Sequence, residues 1–237
     1  MEVKIYDSKE AVAIHFSEYL KAFVATRQKV HIALSGGSTP KIVFDVLAST
    51  YKSGIDWSKI YLYWGDERCV PPNDDESNYK MTVTHLVSKI DIPKENIFRI
   101  KGENTPELEA ASYAALLEKE LPYSNGVPQF DLVILGMGDD GHTASIFPHN
   151  IHLWDETTFC AVAEHPTSGQ KRITLTGSII NNAQSVVFLV TGAGKSQKVR
   201  EILQQKGDFK TYPASLVAPS SQNLIWFLDT DAARELT

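Results

Sequence analysis

The sequence predicts an α/β fold in which helices cover both faces of a doubly wound, mostly parallel β-sheet. Short runs rich in β-branched and aromatic residues alternate with segments of helical periodicity, which is typical of parallel strands joined by crossover helices. Several of these runs are apolar almost throughout, as expected for strands that are buried on both faces. Because no repeat or long linker interrupts the pattern, we predict a single domain over residues 1–237.

The predicted elements follow this alternation from the N-terminus onward. A helix over 8–27 comes first, with Ser8 as its N-cap. The apolar runs predict strands over 30–34, 60–64, 96–100, 131–135, 186–190 and 224–228. The segments between them predict helices over 40–50, 78–90, 106–121 and 195–205. Residues 149–172 fit neither series, and they predict an excursion at the edge of the sheet.

The composition argues against several classes of partner. The formal net charge is −6, and acidic and basic residues are interspersed along the chain. Without a basic stripe, neither nucleic acid nor an anionic membrane is an expected partner. The N-terminus lacks the apolar core of a signal peptide, no run approaches the ~20 apolar residues of a membrane span, and the two cysteines lie far apart. We therefore expect a cytoplasmic protein, either a monomer or a small homo-oligomer.

In such folds, ligands bind beyond the carboxyl ends of the strands, so the loops that follow strands are the candidates for chemistry. The first is "LSGGSTPKIVF" (34–44), in which Gly36 and Gly37 permit a tight turn before a helix with Thr39 as N-cap and Pro40 at its first position. The N–H groups at that helix start, including those of Ser38 and Thr39, favour a phosphate. A conventional capped turn is the alternative, and the ending of a Walker motif is absent.

Charged residues follow the next strand in "WGDERCVPPNDDESNY" (64–79). Arg68 has the forked geometry that binds a phosphate or a carboxylate, while Asp66 has the chemistry to orient a base or to accept from a sugar hydroxyl. Two further cations complete the set, since Arg172 begins "RITLT" and Lys195 lies at a strand-to-helix junction in "TGAGKSQKV".

The loop "GMGDDGHTASIFP" (136–148) permits two interpretations. Its Gly-x-Gly-x-x-Gly spacing resembles a dinucleotide fingerprint, but Pro148 limits any helix after Gly141 to little more than one turn. We therefore expect the glycines to turn the strand end sharply and to present Asp139, Asp140 and His142 to a cleft. No metal site is predicted, because the nearby spacing His149-x-x-His152 lacks a further clear ligand.

These motifs together resemble a known family. "SGGSTP", "WGDERCVPPNDDESNY", "GMGDDGHTASIFP", "RITLT", "GAGK" and "YPAS" occur in the order and approximate spacing of 6-phosphogluconolactonases, which belong to the glucosamine-6-phosphate isomerase/6-phosphogluconolactonase family. The resemblance implies a Rossmann-like fold, as in glucosamine-6-phosphate deaminase. It also implies hydrolysis of a phosphorylated sugar lactone, a small-molecule sugar phosphate as substrate, and no metal or organic cofactor.

The resemblance also suggests roles for individual residues. We expect His142 to act as general base on a water, with Asp66, Asp139 or Asp140 holding its imidazole; Asp66 and Asp140 are the catalytic candidates. The phosphate would be bound by residues that supply positive charge or backbone N–H groups, namely Gly36, Gly37, Ser38, Thr39, Arg68, Arg172 and Lys195.

Three other functions stay open on the sequence alone. A glucosamine-6-phosphate deaminase would carry a glutamate before the proline of this loop, where the chain has Phe147. A non-catalytic sugar-phosphate-binding domain would keep the cations but would not need His142. An NAD-dependent oxidoreductase would instead use Gly136, Gly138 and Gly141.

Overall fold

The computed structural model describes residues 1–236, and these residues form one seven-stranded sheet, one three-stranded sheet and one short hairpin. In chain order the strands are β1 (Glu2–Tyr6), β2 (Val30–Leu34), β3 (Ile60–Trp64), β4 (Asp66–Arg68), β5 (Ile97–Phe98), β6 (Tyr123–Ser124), β7 (Val127–Pro128), β8 (Leu132–Leu135), β9 (Cys160–Glu164), β10 (Lys171–Leu175), β11 (Val186–Val190) and β12 (Leu224–Asp229).

The seven-stranded sheet is parallel throughout, in the order β1-β12-β11-β8-β2-β3-β5. From β2 the chain winds outward to β3 and β5 on one side, and later to β8, β11 and β12 on the other. Because parallel crossovers are right-handed, the two directions place helices on opposite faces. The predicted doubly wound fold is therefore confirmed, with its reversal of strand order between β2 and β8.

The helices occupy most of the segments that the periodicity predicts. They are α1 (Lys9–Ala25), α2 (Ser38–Ser49), α3 (Asn78–His85), α4 (Pro106–Glu120), α5 (Gly177–Asn181), α6 (Ser196–Leu203) and α7 (Thr230–Ala233). Ser8 caps α1 as predicted, because its Oγ accepts the backbone N–H of Ala11 at 3.1 Å. None of the helices within residues 1–236 combines the length and the apolar character needed to cross a membrane.

The predicted start of α2 is wrong by two residues. The helix begins at Ser38 rather than Pro40, and Gly37 precedes it with a φ of +106°. Thr39 is consequently inside the first turn, where its Oγ1 shares a hydrogen bond of 2.8 Å with Thr191 Oγ1 instead of capping the helix. The positive φ of Gly37 makes the sharp change of direction before the helix, as the predicted glycine turn requires.

The centre of the sheet is apolar because it is covered on both faces. Every residue of β2, β8 and β11 is buried. The single polar side chain of β2, His31, hydrogen-bonds Tyr63 Oη through Nδ1 at 3.1 Å. Burial, assisted by the charge of Lys29, lowers the pKa of His31 to about 4, so this imidazole is neutral at pH 7.

The departure from alternation predicted for residues 149–172 is confirmed, but it does not extend the edge of the main sheet. β9 and β10 instead form a separate antiparallel sheet with β4, in the order β4-β10-β9. Several elements were not predicted as strands or helices, namely β1, β4, β6, β7, β9, β10, α5 and α7. The strand predicted over 96–100 is reduced to β5, because residues 94–96 form a 3₁₀ turn.

A buried glutamate holds the acidic loop between β4 and α3. Glu67 is 2% exposed, and its two carboxylate oxygens accept the backbone N–H groups of Arg68, Asn78 and Tyr79 and the hydroxyl of Ser77, at 2.8 to 3.0 Å. The start of α3 is thereby tied directly to the strand β4. This contact gives a structural role to the "SNY" that follows "DER" in the chain.

We predict that Glu67→Gln lowers the free energy of unfolding by about 1–3 kcal/mol, because an amide nitrogen cannot accept the N–H groups that the lost oxygen accepted. Urea unfolding followed by circular dichroism measures the change. Glu118→Gln, on the exposed face of α4, is the matched control. Equal unfolding free energies for the two variants would contradict the anchoring role.

Candidate active site

The predicted site residues meet around one cavity of about 240 Å³. The cavity lies beyond the carboxyl ends of β2, β8 and β11, next to the reversal of strand order, where doubly wound folds bind ligands. The predicted residues that line it are Gly36, Gly37, Ser38, Thr39, Asp66, Arg68, His142, Arg172 and Lys195. The remaining one, Asp140, contacts the ring of His142. The structure thus brings the whole predicted set together, while their roles in catalysis stay predictions.

One wall of the cavity is the turn that joins β2 to α2. A Cβ at Gly36 would collide with the side-chain amide of Asn78, and Gly37 has its positive φ, so both positions require glycine. The first N–H groups of a helix have no intrahelical carbonyl partner. Because Ser38 and Thr39 belong to this first turn and line the cavity, the turn offers donors to an anion.

A second wall carries two arginines in direct register. Arg68 and Arg172 are paired residues of the antiparallel strands β4 and β10, so two like charges lie opposite each other. Within residues 1–236, the Nε atoms of both side chains are buried without a hydrogen-bond partner. Burial lowers the pKa of Arg172, with Asp66 opposing and Arg68 reinforcing that effect. The arrangement favours an anion that would accept from the unpaired donors and reduce the repulsion.

A third cation stands at the entry to α6. Lys195 occupies the N-cap position of this helix and lines the cavity. Its Nζ lies 2.6 Å from Oδ1 of Asp139, whose side chain is 80% exposed. Ion pairs of exposed carboxylates contribute little stability, so a doubly charged ligand can compete with Asp139 for the ammonium group.

His142 is held by the carboxylate two residues before it. Its Nδ1 lies 2.6 Å from Asp140 Oδ1, and the same oxygen accepts the backbone N–H of His142 at 3.0 Å. Burial alone would raise the pKa of Asp140, but the hydrogen bond and the charge of His142 lower it to about 2. Because an ionised carboxylate only accepts, Nδ1 carries the proton and Nε2 is the basic nitrogen.

Of the three carboxylates that the sequence left open, the structure joins only Asp140 to the imidazole. Asp139 pairs with Lys195 instead. Asp66 is 5% exposed, and its Oδ2 accepts the hydroxyl of Ser145 at 2.6 Å. It lines the cavity without a hydrogen bond to His142, so its geometry suits a ligand hydroxyl rather than the orientation of the base.

An aromatic side chain packs against the other side of the histidine. The ring centroid of Phe147 lies 4.6 Å from that of His142, and the side chain is 1% exposed. The guanidinium of Arg172 lies 5.6 Å from the same ring centroid. Phe147 thus supplies packing and no proton-transfer group at this position.

Two glycines of this loop shape the surroundings of the histidine. A Cβ at Gly138 would collide with the imidazole of His142, and Gly141 has a φ of +83°. No α-helix follows Gly141 before Pro148, where a 3₁₀ segment begins. Among residues 1–236, no three His, Cys, Asp or Glu side chains cluster in a way that would hold a metal ion.

Sequence reasoning missed several residues that support the site. Asn78 lines the cavity and donates from Nδ2 to the backbone carbonyl of Asp66 at 3.0 Å. Ser145 holds the Asp66 carboxylate, and Tyr212 packs against Gly141. Asn78 and Tyr212 lie in "SNY" and "YPAS", which were noticed as motifs but given no chemical role.

Comparisons with known proteins place the chain in a family. The model of the family described as "Glucosamine-6-phosphate isomerases/6-phosphogluconolactonase" matches residues 6–226. A 6-phosphogluconolactonase of Treponema pallidum is 42% identical over 202 residues, with 85% of this chain and 84% of the relative covered. One of Haemophilus influenzae is 45% identical over 208 residues, with 87% and 88% covered.

A solved structure extends the similarity to three dimensions. The crystal structure of the devB protein superimposes with a TM-score of 0.95 at 41% sequence identity, covering 100% of this chain and 99% of that one. The sequence matches and the shared architecture span nearly the whole chain. The chain therefore belongs to the glucosamine-6-phosphate isomerase/6-phosphogluconolactonase family.

Proposed function

We propose that this chain hydrolyses 6-phospho-D-glucono-1,5-lactone to 6-phospho-D-gluconate, a step of the oxidative pentose phosphate pathway. The relatives that carry the name 6-phosphogluconolactonase support the reaction. The observation that carries the proposal is the hydrogen bond between His142 and Asp140 at the edge of the cavity. Arg68, Arg172 and Lys195 line the same cavity. A base and an anion site share one small space, as a phosphorylated ester requires.

In the proposed mechanism, Nε2 of His142 removes a proton from a water as its oxygen attacks the lactone carbonyl carbon. The tetrahedral intermediate then collapses, the bond to the ring oxygen breaks, and the imidazolium returns the proton to that oxygen. Asp140 keeps the proton on Nδ1 and stabilises the imidazolium, as carboxylates do in other hydrolases. Water supplies the added hydroxyl, so the reaction as written needs no group beyond the chain's own residues.

The phosphate is proposed to bind between the arginine pair, Lys195 and the first turn of α2. Hydrogen bonds between charged groups are worth about 1.5–3 kcal/mol each, so several together hold the lactone firmly at a point remote from the reacting carbon. Asp66, kept in place by Ser145 and Asn78, is proposed to accept from a hydroxyl of the sugar.

Two alternatives are less well supported by the geometry. Ring opening and deamination of glucosamine 6-phosphate would need a further proton-transfer group beside His142, where Phe147 packs. A non-catalytic sugar-phosphate-binding domain would have no use for the bond between Asp140 and His142. We further propose that residues 1–237 act as one domain on a small sugar phosphate in the cytoplasm, as a monomer or small homo-oligomer, without nucleic acid as a partner.

We predict that His142→Ala lowers kcat by about 10²- to 10⁴-fold, the usual contribution of a general base, while 6-phosphogluconate still binds. A pH-stat assay on freshly prepared lactone, corrected for spontaneous hydrolysis, measures kcat, and calorimetry measures binding. His152→Ala, at an exposed position outside the cavity, is the control. Near-normal turnover by His142→Ala would remove this residue from the role of base.

We predict that Arg172→Met and Lys195→Met each raise KM by roughly 10- to 100-fold, because each removes a charge-assisted contact to the phosphate. The same pH-stat assay gives KM, with Lys210→Met, on an exposed surface, as control. An unchanged KM in both site variants would mean that the phosphate binds elsewhere.

Glucosamine 6-phosphate, run alongside as the competing substrate, should release no ammonia.

A further inference from the structure

Tyr212, from the motif "YPAS", packs directly against the loop that carries the base. A Cβ placed on Gly141 would lie 2.6 Å from Cβ of Tyr212 and 2.7 Å from its Cγ, so the tyrosine fills the space beside this glycine. The backbone N–H of Ala214 donates to the carbonyl oxygen of Gly141 at 3.0 Å. The segment 212–214 therefore contacts the residue immediately before His142 through both packing and a hydrogen bond.

The phenol of Tyr212 is itself held by two charged side chains of α6. Its hydroxyl donates to Oε2 of Glu201 at 2.6 Å and accepts from Nζ of Lys198 at 2.6 Å. Oε2 of Glu201 also lies 3.5 Å from Nζ of Lys198, and Oε1 of Glu201 accepts from the side-chain amide of Gln197 at 2.8 Å. Tyr212 is 9% exposed and Glu201 is 8% exposed, so this cluster is largely shielded from water.

The contact on Gly141 reaches His142 through a closed turn. The N–H of Gly141 donates to the carbonyl of Gly138 at 3.0 Å, and the N–H of Gly138 donates to the carbonyl of His142 at 2.9 Å. Because Gly138 also packs against the imidazole, a shift of Gly141 would be passed on to the ring. Because the turn includes both His142 and Asp140, we expect it to maintain the distance of 2.6 Å between Nδ1 of His142 and Oδ1 of Asp140.

We propose that Tyr212 is a positioning residue for His142, held in place by Lys198 and Glu201 and acting through Gly141. It does not touch the cavity, so it has no direct part in substrate binding or in proton transfer. The proposal rests on the proposed lactonase function only for its kinetic consequences, since the packing itself concerns the imidazole and the loop.

The test is Tyr212→Phe, which keeps the ring against Gly141 and removes only the hydroxyl held by α6. We expect kcat to fall roughly 10- to 100-fold with KM unchanged, because small displacements of a catalytic group are costly while the phosphate contacts stay intact. The midpoint of the nitrogen-15 NMR titration of the His142 imidazole should also differ from that of the wild-type chain. Glu201→Met should reproduce both effects. The variant that combines Tyr212→Phe with Glu201→Met should show no larger a fall in kcat than either single variant.

Tyr123→Phe, on the exposed hairpin, is the control, and circular dichroism at the assay temperature reports folding. Wild-type kcat and an unchanged imidazole titration in folded Tyr212→Phe would overturn the proposal. If Tyr212→Phe fails to fold, Glu201→Met decides by the same two measurements. If the wild-type chain fails to hydrolyse the lactone, the proposed function is wrong, and the titration alone still decides the role of Tyr212.

Discussion

Arg68 and Arg172 stand directly opposite each other on β4 and β10, in a chain whose formal net charge is −6. Two like charges in register oppose the pairing of the small sheet that holds them. Asp66 and Glu67, which precede Arg68 on the same strand, are both buried and bring negative charge close by. Among residues 1–236 neither arginine Nε atom has an acceptor, and in the proposed reaction the substrate phosphate supplies one. Under the proposed function, the small antiparallel sheet presents its two arginines to the phosphate of the substrate.

The parallel sheet explains how residues from distant parts of the sequence come together. The carboxyl ends of parallel strands lie at one edge, so the turns that follow β2, β8 and β11 meet there without any long connection. Each turn contributes one kind of chemistry: backbone donors after β2, the base after β8, and a lysine after β11. The small sheet then covers this edge and adds the arginines. Fold and site therefore follow from the same topology.

The parts that the sequence predicts are those governed by local pattern. β2, β3, β8, β11 and β12 are apolar because both of their faces are covered, and such runs are visible in one dimension. β1, β9 and β10 are partly exposed and β4 has only three residues, so their residues show no comparable apolar run. The loops of the site were predictable because their glycines and charged residues directly follow predicted strands in the sequence.

The choice among Asp66, Asp139 and Asp140 as partner of His142 was not predictable. All three lie near the same strand ends, and only the folded loop shows that Oδ1 of Asp140 is the oxygen that lies 2.6 Å from Nδ1 of the ring. α6 illustrates the same limit: its periodicity shows a helix, but it shows neither the contact with the loop that carries His142 nor the contact with Tyr212. Lys195 at its start pairs with Asp139, and Glu201 one and a half turns on holds Tyr212. One rigid element thus joins Lys195, the proposed phosphate ligand, to the support of His142, so under the proposed function binding energy gained at the phosphate acts on the scaffold that orients the imidazole.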